Sequence, residues 1–258
     1  KYLDYISMDL NTKDVLKGSN VLRRHLLDSL VSYERFFSAI FNDTAKATEL
    51  IGKPKEFMDD VFLAGGISPN TQSRPDIFSH FTNDELVGLW ISRNDKLYYS
   101  FGISKEEGEY VSSIAKPLIE DFVAKADAAL KPGSDRAADL RFGHDVGLLP
   151  LIGTIGISGM ENRWKSSDVH EHWFDFQMMP MASNLQMIFF KNRKGDDVLV
   201  KFVYNDKETT IPAVKSFRGP YYKWNDIRDY LVKTAAAISD EHIVKDNGGK
   251  ERTGVAGM

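Results

Sequence analysis

The chain has 258 residues, 42% of them apolar and 12% aromatic, enough to bury a sizeable core and to exclude gross disorder. Its formal net charge of −4 argues against a protein whose main task is to wrap a nucleic-acid backbone, while leaving room for a local cationic pocket. With no cysteine, disulfides, thiolate metal sites and cysteine nucleophiles are excluded. No apolar run approaches the ~18–20 residues of a membrane-spanning helix. The chain begins at Lys1 rather than Met, which reads as a processed or incomplete polypeptide.

There is no internal repeat, and the first ~105 residues read as helical. Leu22, Leu26, Leu27, Leu30, Tyr33, Phe37 and Ile40 recur at helical spacing, and Glu56 to Leu63 forms a second short helix. Residues 65–75 read as a loop. Thr82 and Glu85 then fit a capping box, opening a helix with Leu86, Leu89, Trp90 and Leu97 on one face and Gly102 at its end. A further amphipathic helix is expected from about Glu106 to Leu130, stopped by Lys131-Pro132-Gly133-Ser134.

After Pro132 the pattern changes. Ala138 to Gly143 is an apolar run broken by Arg141, the length of a buried strand, and Gly147 to Ile157 continues as a helix. Residues 184–191 and 198–204 read as strands joined by the turn signal Asn192-Arg193-Lys194-Gly195. Asn205-Asp206 turns into a short third strand, Trp224 to Ile238 is a final helix, and the Gly-rich charged tail from Lys245 frays. The expected architecture is α/β: a sheet flanked by helices, with a smaller helical subdomain over residues 1–105, the sheet-bearing part over 106–245 and a flexible tail over 246–258.

The residues that point to chemistry are Leu140-Arg141-Phe142-Gly143-His144-Asp145. A strand ending at Gly143 and a helix starting after Asp145 would form the crevice where open α/β sheets bind ligands. The helix N-terminus adds N–H groups and partial positive charge suited to phosphate. His144 can donate a hydrogen bond to a phosphate oxygen, and Asp145 can protonate a leaving alkoxide where its surroundings favour the neutral acid. The blander role for Asp145 is a helix cap. Arg141, in a buried strand, wants either a structural partner or a ligand. Arg93, Asn94 and Lys96 are either cations and polar groups roofing the site or an ordinary solvated helix face. His170-Glu171-His172 places two imidazoles at i and i+2, a weak metal pattern that surface histidines explain better. Gly153, Gly156 and Gly159 do not match the dinucleotide fingerprint, and no phosphate-binding Walker loop occurs.

The stretch DLRFGHDVGLLPLIGTIGI resembles the second signature of the histidine acid phosphatases, in the phytase-containing branch. Its flavour is closest to bacterial relatives of the multiple inositol polyphosphate phosphatases. FTNDELVGLWISRNDKLYYSFG resembles a segment of that family's helical domain, MASNLQMIFFKNRKGDDVLVKFVYNDKETTIP its strand meander and YYKWNDIRDYL its closing helix. The resemblance implies a phosphomonoester hydrolase that works through a phosphohistidine. His144 would bind phosphate, Asp145 would act as proton donor, and Arg141, Arg93 and Lys96 would stand as substrate-binding candidates. It implies no metal and no cofactor, a small phosphorylated substrate, no nucleic-acid partner, no membrane span and a periplasmic or secreted location.

The sequence departs from the family in two ways. The Arg-His-Gly-x-Arg-x-Pro segment that carries the attacking histidine is absent; Arg24-His25 is followed by Leu26. The nucleophile is therefore expected outside this chain, in an N-terminal portion of the same protein. Where inositol polyphosphate phosphatases carry His-Ala-Glu, this chain has His144-Asp145-Val146, which leaves a broader acid phosphatase open beside a phytate-directed one. The alternative is a non-catalytic phosphate-binding relative.

Overall fold

The computed structural model describes residues 30–165, 168–191 and 197–239. The expectations for Leu22 to Leu27, Arg24-His25, the 192–195 turn and the tail lie outside these residues. The described chain divides into two units: 30–107 with 163–181, and 108–162 with 182–239.

The first unit is helical: α1 (Tyr33–Ile40), α2 (Thr44–Ile51), α3 (Pro54–Ile67) and α4 (Asn83–Phe101). Its core gathers Phe36, Phe37, Met58, Phe81 and Leu89. Ser32 and Asp43 cap α1 and α2 by accepting from the amides of Arg35 and Lys46. The expected capping box of α4 is complete: Glu85 N–H donates to Thr82 Oγ1 at 3.2 Å, and Thr82 N–H donates to Glu85 Oε2 at 2.8 Å. Glu85 is buried and also receives the guanidinium of Arg35. Gly102 ends α4 by turning to extended backbone (φ −82°, ψ 165°), and a Cβ there would lie 2.6 Å from the carbonyl oxygen of Tyr98.

The second unit combines α5 (Gly108–Ala129), α6 (Asp145–Thr154) and α8 (Trp224–Ala237) with a four-stranded antiparallel sheet; the short α7 (Asp175–Met178) belongs to the first unit. The sheet is β1 (Leu185–Lys191), β2 (Val198–Tyr204), β3 (Lys207–Thr209) and β4 (Tyr221–Lys223). β2 is central: β1 pairs along its whole length, while β3 and β4 share its other edge. Asn205 and Asp206, at φ 49° and 62°, form the two-residue hairpin turn between β2 and β3. Val200, Phe202, Ile211 and Tyr222 of the sheet region are buried, as are Trp224, Ile227 and Leu231 of α8.

One expected element is missing. Ala138 to Gly143 forms no strand, and Leu140 and Phe142 are 76% and 94% exposed. An apolar run becomes a strand only when another backbone completes its hydrogen-bond ladder, and none of the described residues does so here.

Candidate functional site

His144 is the N-cap residue of α6, with φ −115° and ψ 167°. Its carbonyl accepts the amides of Gly147 at 3.0 Å and Leu148 at 3.2 Å, which starts the helix. Its side chain makes no capping bond and has no hydrogen-bond partner among the described residues. Asp145 is the first helical residue, and its Oδ1 accepts from Val146 N–H at 2.9 Å. The carboxylate thus answers part of the helix's unmet donor capacity, as an acidic residue in a first turn does, and Oδ2 remains open. Both side chains are exposed.

Helix α6 gives this pair a firm base. Leu149 and Ile152 are fully buried, and Gly147, Pro150, Leu151 and Gly153 are buried around them. Pro150 cannot donate to the carbonyl of Val146, yet the burial of nearly the whole helix holds it in place. Two adjacent polar side chains therefore project from the N-terminus of a helix that is otherwise interior. Gly143 is open on all sides: a Cβ there would meet nothing within 4 Å.

Arg141 has structural partners. Its Nη2 lies 2.5 Å from Asp121 Oδ2 and 3.6 Å from Asp139 Oδ1, and its guanidinium sits 4.3 Å above the ring of Phe122. This clamps the segment before His144 onto α5 through one guanidinium nitrogen, Nη2, and the face of Phe122. In the other unit, Arg93 is held by both oxygens of Asp59, at 3.1 and 3.0 Å. Lys96 lies on the same helix, α4, and is half-buried. Arg141, His144 and Asp145 share one unit, while Arg93 and Lys96 belong to the other.

The reading of residues 93–96 as a solvated face is corrected for its middle. Asn94 and Asp95 are buried, at 0% and 3% exposure. Asn94 Nδ2 donates to Trp173 O at 3.0 Å, and its Oδ1 accepts from Asp175 N–H at 2.8 Å. Asp95 Oδ2 lies 2.8 Å from His170 Nδ1, and burial pushes the Asp95 carboxyl up from its ordinary range. His172 stacks on Trp164 with centroids 4.0 Å apart. These groups fasten residues 168–175 onto α4. Among the described residues, no group of three or more His, Asp or Glu side chains is arranged to hold a metal ion.

A scan against protein-family models gives no match, and neither does a search of curated proteins. Among solved structures, the chain is similar to a Bifidobacterium longum multiple inositol polyphosphate phosphatase, solved in complex with phosphate. The TM-score is 0.59 at 21% identity, over 67% of this chain and 39% of that one. At this identity the likeness shows the fold, a mixed α/β architecture. The chain spans about two fifths of the length of the neighbour it matches.

Proposed function

We propose that this chain carries the phosphate-binding and proton-donating half of a phosphomonoester hydrolase of the histidine acid phosphatase kind. The observation that carries the reading is the exposed His144–Asp145 pair at the N-terminus of α6, with an unpartnered imidazole beside a carboxylate that keeps one oxygen open. The fold likeness to an inositol polyphosphate phosphatase supports it.

In the proposed reaction a histidine from outside these 258 residues attacks phosphorus. An N–P bond forms as the ester P–O bond breaks. His144 donates a hydrogen bond to a phosphate oxygen, and the helix amides favour the accumulated negative charge. Asp145 gives a proton to the departing alkoxide. The resulting carboxylate then takes a proton from the water that cleaves the N–P bond, releasing phosphate and restoring the acid. The substrate is a small phosphate ester, inositol phosphates among the candidates. Arg141 acts first as the clamp that fixes the segment leading to His144. A periplasmic or secreted location follows from the same reading.

The test is Asp145→Asn in the complete encoded protein. With phosphate esters of poor leaving groups kcat should fall about 10²–10⁴-fold, and with an activated aryl phosphate far less. Equal activity on both would remove Asp145 from the proton-donor role. The second reading, a phosphate-binding relative without catalysis, rests on the absence of an Arg-His-Gly segment from the sequence. Phosphate binding without turnover by the complete protein would favour it.

A further inference from the structure

The segment that returns to the first unit, residues 163–181, is tied to α4 at several points. Asp95 meets His170, and Asn94 meets Trp173 and Asp175. Trp90 Nε1 donates to Asp175 Oδ1 at 2.9 Å, and its ring stacks on Phe174. The far end of the segment meets a different element. There Asn70, in the 3-10 turn Ser68–Asn70 that follows α3, donates from Nδ2 to Met181 Sδ at 3.6 Å. A thioether is a weak acceptor, so this bond by itself fastens little. Met181 is 76% exposed. Among the described residues Met58 and Met160 are buried, and Met178, Met179 and Met187 are half-buried, so Met181 is the methionine most open to solvent. With no cysteine in the chain, thioethers are the sulfur that an oxidant meets.

We propose that Met181 is a site of reversible oxidation to the sulfoxide, and that Asn70 converts this oxidation into a firmer hold on residues 175–181. The oxidant is hydrogen peroxide. Its O–O bond breaks, the sulfur gives up two electrons and gains one oxygen, and the other oxygen leaves as water. A sulfoxide oxygen is a much stronger acceptor than a thioether, and Asn70 Nδ2 already stands where it can donate. In a core the added oxygen would disrupt packing; on a side chain already in water it desolvates little. The sulfur becomes chiral, and only the epimer whose oxygen faces Asn70 makes the bond. Sulfoxide reductases, one for each epimer, reverse the step. The inference does not depend on the reaction proposed for His144 and Asp145.

The experiment treats the complete protein, as its gene encodes it, with dilute hydrogen peroxide. Peptide mass mapping follows each methionine. Amide hydrogen exchange follows Gln177, Met178 and Met179, whose amides bond back to Phe174 and Asp175. Met181 should take up oxygen at least about 10-fold faster than the buried Met58 and Met160. Peroxide forms both epimers, so one population in the mass envelope should exchange about 3–10-fold more slowly at 177–179, the effect of one added hydrogen bond. A single epimer-specific reductase should remove that population. In Asn70→Ala, Met181 should oxidise as fast with no slowed population, and in Met181→Leu peroxide should leave exchange at 177–179 unchanged. Three results would overturn the inference: oxidation of Met181 no faster than that of Met58, no slowed population after oxidation, or slowing that persists in Asn70→Ala. The first closes the site to the oxidant, the second makes oxidation mere damage, and the third assigns the hold to another contact.

Discussion

Val198–Tyr204 and residues 138–143 are two apolar segments of similar length in the same unit, and they end in opposite states. The first is the centre of the sheet, paired on both edges, with Val200 and Phe202 fully buried. The second is anchored by one ion pair to α5, makes no backbone hydrogen bond among the described residues and presents Phe142 almost entirely to solvent. The difference is in the company each keeps. β2 lies between hairpin partners a few residues away in sequence, which meet it at little loop-closure cost. Residues 138–143 lie between two helices, and strands flanked by helices pair with partners remote in sequence.

The sharpest way to break this comparison is hydrogen exchange on the 258-residue chain. The amides of Val200 and Phe202 should exchange at least about 10³-fold more slowly than those of Arg141 and Phe142. Similar rates would show that one segment has been misassigned. Next comes side-chain truncation followed by denaturant unfolding. Phe202→Ala should cost about 3–5 kcal/mol, whereas Phe142→Ala should stay within about 0.5 kcal/mol in the same chain. A large loss at Phe142 would mean that it is covered after all. Smaller again is Asp121→Asn, which removes the clamp on Arg141. Because Asp121 is half-exposed, the expected cost is below about 1 kcal/mol.

The finest distinction concerns a carboxyl buried in the first unit, Asp95. Burial raises the Asp95 carboxyl above its ordinary value of 3.8, opposed by hydrogen bonds from Asn94 and His170 and by the charge of His170, and assisted by the nearby Asp168. A raised value means that the folded protein holds this proton more tightly than the unfolded chain does. The stabilisation is therefore complete below 3.8 and is lost as pH rises through the folded value. Thermal unfolding across that window should show a decline in the native protein that Asp95→Asn flattens. An unchanged slope in Asp95→Asn would assign the decline to other groups.

The start of α4 and the turn between β2 and β3 were legible in the sequence because their signals are local, whereas α2 was not read from it and α3 runs on to Ile67 through residues read as a loop. Thr82 and Glu85 are three residues apart and form the box their spacing predicts; Asn205-Asp206 supplies a turn with both residues at positive φ. The N-terminal position of His144 and Asp145 on α6 was legible for the same reason. The burial of Asn94 and Asp95 was not, because two polar residues in a helix look solvated until partners 79 and 75 residues away, Trp173 and His170, come to meet them. Nor does the sequence reveal that Arg141 pairs with Asp121, twenty residues earlier.

By itself, then, the sequence determined the capping box that opens α4, the turn between β2 and β3 and which two polar residues crown α6. Those outcomes depend on backbone preferences and on contacts within a few residues. The tertiary structure alone decided which cations are already held by carboxylates, which polar groups lie inside, and that the apolar run before His144 stands unpaired. Each of these depends on partners distant along the chain, and a strand exists only where a second backbone completes its hydrogen bonds.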